Sequence, residues 1–332
     1  MSTNRSEAEE LLSAPAEWDL PRSRHLHFKD VLMQQIDEDL ASAAAQTPRR
    51  RTWRPAVLLP LASMALAGAL LVTFTSGDPE TPAPVSATAT LNRIAVAAMA
   101  SDETPVRDDQ FVYVRRLVIE NKGTFEGPVR LGAPHTSEVW TSQNPEPVRV
   151  LGWMRDSGKD AIMPGQMLPI ESPSAVPAGF DHPTYKWLAS LPTDPDALLQ
   201  LLYKQVRVAD DESKEQAVFS QIGDLLSGTV MPPENTAALY KAAARIPGVR
   251  ELPDAVDAAG RHGIAITRED ARSATRDEWI FDKKTLAFLG ARNYITHDET
   301  KGITSDTLFG STAVLRHAVV DRHGEEPAKS DG

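Results

Sequence analysis

The carboxylates Asp270, Asp277 and Glu278 lie close together in the sequence, a spacing at which two acids can divide acid and base duties. They flank predicted strand ends, where a charged sheet rim accounts for them equally well. Asp102, Glu103, Asp108 and Asp109 supply oxygen ligands of the kind calcium takes, but without the glycine and repeat of a calcium loop. His25 and His27 are two apart, so one helix face cannot present both to a metal. His182 and His262 fall in predicted loops. Four tryptophans, Trp140, Trp153, Trp187 and Trp279, form the more suggestive set. On the concave side of a sheet they would hold an acyl chain or a peptide; in a core they would simply fill space.

Standard catalytic signatures are missing. The sequence has no HExxH and no GxSxG, and the segment from Gly152 to Lys159 departs from a phosphate loop in spacing, with Asp160 where a magnesium-binding hydroxyl belongs. Without cysteine, disulfides, thiol nucleophiles and thiolate-held metals are excluded. A net charge of −11 argues against a broad nucleic-acid footprint. No catalytic residue, metal ligand or cofactor site is assigned, and the chain reads as a binding protein rather than an enzyme.

The elements that would position these residues begin with a membrane span. Residues 56–74 carry no charge and include Leu58, Leu59, Leu61, Leu66, Leu70, Leu71 and Phe74. As a helix they would cover about 28 Å, close to the hydrocarbon thickness of a bilayer. Arg49, Arg50, Arg51 and Arg54 precede the run and Asp78 and Glu80 follow it. The positive flank marks the cytoplasmic side, so the N-terminus is expected inside and the remainder outside.

Residues 1–55 are expected to be a partly disordered cytoplasmic segment with one amphipathic helix through Phe28, Val31, Leu32, Ile36 and Leu40. Residues 75–90 read as a Pro/Ala/Thr-rich linker. Residues 91–322 read as an extracytoplasmic α+β domain, and residues 323–332 as a disordered tail. Within the domain, a helix through Leu91, Ile94 and Met99 precedes alternating strands at 110–120, 136–142 and 148–155. Residues 163–183, rich in proline, read as a long loop. Three helices follow, the first opened by Asp194-Pro195 and the third by Pro232-Pro233. Strands return at 249–257, 263–269, 279–282 and 286–294. The expected architecture is a single transmembrane helix followed by an antiparallel curved sheet with helices packed on one face.

The segments PTDPDALLQLLY, FSQIGDLLSGTVMPPENTAALYKAAARIPGVRELPDAVDAAGRHGIAITRED and EWIFDKKTLAFLGAR resemble, in that order, an actinobacterial family of uncharacterised single-span membrane proteins known by a locus-style name. That resemblance implies products encoded beside extracytoplasmic-function sigma factors, hence an envelope sensor or regulatory binding protein. The β–α–β order is more distantly similar to the half-barrels of lipoprotein carriers and of a periplasmic sigma regulator. The partners this implies are a sigma factor or another cytoplasmic regulator through residues 1–55, and a lipid or peptide on the outer domain. The weighed alternative is a membrane-tethered hydrolase using Asp270, Asp277 and Glu278, or a lipid- or lipoprotein-binding envelope protein.

Overall fold

The computed structural model describes residues 86–102, 105–123, 128–161, 163–296 and 303–327. The predicted span at 56–74 and residues 1–55, with the amphipathic helix expected there and His25 and His27, lie outside them. No helix among the described residues is long and apolar enough to cross a membrane.

The domain is α+β. Nine strands form one antiparallel sheet in the order β4-β3-β2-β1-β9-β8-β7-β6-β5. Strands β1 (Phe111–Glu120), β2 (His135–Ser142), β3 (Val148–Ser157) and β4 (Leu168–Val176) run outward as one meander. Strands β5 (Arg250–Val256), β6 (His262–Asp270), β7 (Thr275–Asp282), β8 (Phe288–Ile295) and β9 (Thr307–Val320) return as a second. The two are joined where β9, the last strand, pairs along the full length of β1, the first. The helices are α1 (Ala87–Met99), α2 (Tyr185–Ala189), α3 (Pro195–Gln205), α4 (Lys214–Gly228) and α5 (Pro233–Ala243). All but α1 lie in sequence between the two meanders.

Local chemistry starts the helices where expected. Asp194 accepts a hydrogen bond from Ala197 N at 2.9 Å with Pro195 at the first helical position, and Ser213 accepts one from Gln216 N. Ser86 caps α1, which therefore begins at Ala87 and takes in residues that the sequence assigns to the linker. Thr90 of α1 donates to the Glu251 carboxylate and ties that helix to β5.

One core dominates. Leu198 and Leu202 of α3, Val218, Phe219, Ile222 and Leu225 of α4, and Leu239 of α5 bury their side chains with Ile266, Trp279 and Phe281 of the sheet. Helix α4 rests on β6 and β8, and α1 reaches β5. The helices thus share one face, as expected, but they cover the β5–β8 half of it.

Three expectations need correction. Residues 163–183 are not a continuous loop, because they contain β4. Its Pro169 and Pro173 are tolerated at the sheet edge, where a missing N–H breaks no ladder on the outer side. The sequence reading omits β9, although it occupies the middle of the sheet. The tail expected to be frayed is docked across residues 323–327, with Glu325 O accepting from Trp140 Nε1 at 2.8 Å.

Candidate functional site

The strand register sorts the predicted site residues onto two faces. Trp279 points to the helices and stacks on Phe219, with centroids 3.9 Å apart and planes at 4°. Trp140 and Trp153 are paired across β2 and β3 on the opposite face. There Trp140 is wholly buried and Trp153 stacks on His323 at 4.3 Å. Trp187, on α2, meets Phe180 edge to face. The structure brings Trp140 and Trp153 together and separates them from the other two, so the four do not line a single surface.

The acidic trio is also divided. Asp277, on the helix side, accepts from Ser220 Oγ at 2.6 Å, Gln216 Nε2 at 2.9 Å and Asn293 Nδ2 at 2.8 Å. Glu278, on the other face, is held between Arg276 and Arg292. Asp270 accepts from Ser213 N and Ser273 Oγ, and these bonds hold its carboxyl below the usual range against the opposing effect of burial. Each acid is occupied by a structural partner. Of the acidic cluster, Asp109 pairs with Arg107 and Asp108 with Lys186. Burial drives the His182 imidazole towards the neutral form, against the opposing effect of its hydrogen bond to Ser142 O, and His262 pairs with Asp254. Among the described residues, no group of three or more His, Asp or Glu is placed to hold a metal ion. A hollow of about 200 Å³ beside Arg250, Thr267, Glu269 and Arg276 is smaller than a typical small-molecule site.

A different site emerges from the half of the helix-bearing face that the helices leave uncovered. Leu168, Met154, Val139 and Val114 are successive partners across β4, β3, β2 and β1, and His317 of β9 completes the row. Leu168, Met154 and Val139 are only half-buried. At the usual strand spacing, the row from Leu168 to Val114 spans about 14 Å. The neighbouring row is polar: Asp156, Ser137 and Arg116 are partners across β3, β2 and β1. Next to it, Val118, Thr312 and Ala291 form a half-buried floor leading to Trp279 under α4.

Helix α4 forms the wall of this trough. Arg116 Nη2 donates to Ser227 O at 2.9 Å, and His317 Nε2 donates to the same carbonyl at 3.0 Å, which places the imidazole proton on Nε2. Arg116 Nε is buried without a partner among the described residues. Asp224 projects from the same stretch of α4, and its carboxyl is pushed up to about 7 by burial and then by Asp277, against the pull of Arg116. His317 is pushed down to about 4, mainly by burial, with Arg116 adding to the effect and the bond to Ser227 opposing it. Both residues keep accessible surface, although enough protein surrounds them to disfavour charge. At the far end, Asp156 is buried with one oxygen unpartnered, and burial raises its pKa.

The trough therefore joins an apolar strip to a cluster of perturbed ionisable groups, a pairing suited to binding an amphipathic molecule. Sequence reasoning missed it because its members come from six strands and one helix. Only Arg116, an arginine facing inward in the apolar run FVYVRRLVIE, carried a signal. No protein-family model matches the chain, and no curated protein matches it either.

Proposed function

We propose that the chain is a single-pass membrane protein whose outer domain binds an amphipathic ligand in the trough and reports occupancy inward to a cytoplasmic regulator. The observation that carries the binding half is the uncovered in-register row Leu168, Met154 and Val139 beside Arg116 and Asp224. An acyl chain lies on the row, and its head group meets the arginine and the protonatable carboxyl. The membrane half rests on the uncharged run at 56–74 with arginines before it. The regulatory half rests on the sequence resemblance, which points to an extracytoplasmic-function sigma factor system acting through residues 1–55.

Two measurements test this reading. The full-length chain in detergent, titrated with a fluorescent long-chain fatty acid, should bind saturably. Met154→Asp combined with Val139→Asp should weaken binding by about tenfold or more at unchanged melting temperature. Equal binding by the folded variant would remove the trough from the reading. A reporter fused after Pro84 should behave as extracytoplasmic; intracellular behaviour would sink the topology.

A further inference from the structure

On the face opposite the helices, residues 323–327 lie across a patch built from β1, β2, β3 and β9. Its contacts with this strap are specific in kind. The His323 ring stacks on Trp153 at 4.3 Å and 10°, with the edge of Phe111 at 5.7 Å. Trp140 Nε1 donates to the backbone carbonyl of Glu325 at 2.8 Å. Arg155 Nη2 meets Glu326 at 2.6 Å, and Arg316 Nη1 donates to Pro327 O at 3.2 Å. Gly324 has φ +80°, a conformation natural to glycine, and this turn sets the ring and the two carbonyls onto separate anchors.

The anchors do not depend on the strap for their own positions. Arg155 is held by Glu138 at 2.7 Å, and Glu138 in turn accepts from Tyr113 OH at 2.6 Å. The Arg155 guanidinium also sits over the Trp140 ring, which packs on Tyr113. The strap, in contrast, exposes residues 321–326 to solvent. It hangs from a fixed point, because Asp321 is tied to Arg107 at 3.0 Å and Gln110 at 2.9 Å. β9 ends at Val320, so no residue of the strap belongs to the sheet.

We propose that this patch is a recognition site for an extended acidic peptide segment of a partner protein, kept closed by the chain's own residues 323–327. The partner segment carries an aromatic or imidazole ring three residues before a carboxylate, as His323 precedes Glu326. The ring enters between Phe111 and Trp153, the intervening backbone carbonyl takes the Trp140 N–H, and the carboxylate takes Arg155. Backbone and side-chain capture together give sequence preference without a deep pocket. The site lies on the opposite face from the trough and stands independently of any ligand there.

The test uses the full-length chain in detergent and a version ending at Arg322, with a synthetic peptide of residues 322–332 as probe. Calorimetry and tryptophan fluorescence read binding; circular dichroism reads folding. The shortened chain should bind the peptide at least about tenfold more tightly than the full chain does. The peptide with both glutamates changed to Gln should lose that binding, as should the shortened chain carrying Arg155→Gln. A peptide with Trp in place of the histidine should retain it. A folded shortened chain that ignores the peptide, or equal binding to both chains, overturns the proposal. Should shortening prevent folding, the full chain with His323→Ala and Glu326→Ala replaces it. That variant must gain affinity for the peptide several-fold, and no gain is again a refutation.

Discussion

Gly223 of α4 lies directly on the indole of Trp279: a Cβ at Gly223 would stand 2.5 Å from Trp279 Nε1. Phe219, one helical turn earlier, stacks on the same ring and leaves it no room to retreat. In an exposed helix, Gly→Ala stabilises by about 1 kcal/mol. Here overpacking, typically about 1–3 kcal/mol, opposes and outweighs that gain. Gly223→Ala should therefore lower the urea midpoint and shift the tryptophan emission. A raised midpoint would show that the helix does not rest on the ring as described.

Asp224 and His317 give stability opposite dependences on pH. The Asp224 carboxyl is raised from 3.8 to about 7, so the folded chain keeps a proton that the unfolded chain releases, and stability falls as pH rises between those values. His317 is lowered from 6.5 to about 4, so stability falls as pH drops through that window. Both groups touch water, and solvent screening reduces the size of each effect. Asp224→Asn cannot ionise and should stabilise the protein more at about pH 8 than at about pH 4. Unfolding curves at the two pH values that show the same difference from the parent would contradict the enclosure that raises the Asp224 carboxyl.

Glu278, 1% exposed, sits between Arg276 and Arg292, and both guanidiniums also approach the Tyr294 ring. Removing the carboxylate leaves two like charges facing each other with their shared partner gone. Glu278→Ala should cost about 3–5 kcal/mol, the usual penalty for breaking a buried pair from one side. Glu278→Gln should cost less, because its amide oxygen still accepts. Denaturant unfolding measures both, and a loss for Glu278→Ala below about 0.5 kcal/mol would mean the arginines find water instead.

Much of this architecture was legible in the sequence. Alternation in FVYVRRLVIE gave β1, and the caps at Asp194 and the prolines at 232 and 233 gave the helix starts. What escaped has physical causes. Strand β9, in the middle of the sheet, is apolar on both faces over Ala313, Val314 and Leu315, and Leu315 is skipped at an irregularity opposite Arg115 and Arg116. Both features blur a period of two. Strand β4 hides behind two prolines that only its edge position permits. The tryptophans were legible as aromatic anchors but not as to face, because residue type alone says nothing of register. Apart from Arg116 the trough was not legible, since its row links Leu168 to His317 only through pairings of distant strands.

The bulged strands also depend on one arginine. The pairing of β7 with β8 skips Leu289, and that of β1 with β9 skips Leu315, so carbonyls near both points lack regular ladder partners. Arg261, in the β5–β6 turn, donates from Nη2 to Leu289 O at 2.8 Å and to Val314 O at 2.9 Å. Asp257, whose side chain is wholly buried, fixes the guanidinium by accepting from Nε at 2.6 Å and holds the turn by accepting from Ala259 N and Arg261 N. A planar fork can serve both carbonyls and the carboxylate at once, whereas an ammonium cannot. Arg261→Lys should therefore lose about 2 kcal/mol, the worth of one or two charge-assisted hydrogen bonds, despite keeping the charge. The loss should be local before it is global, with faster hydrogen exchange at the amides of residues 288–291 and 312–316 under conditions where the α4 amides stay protected. Unchanged exchange in those two segments would mean the bulges are satisfied without Arg261.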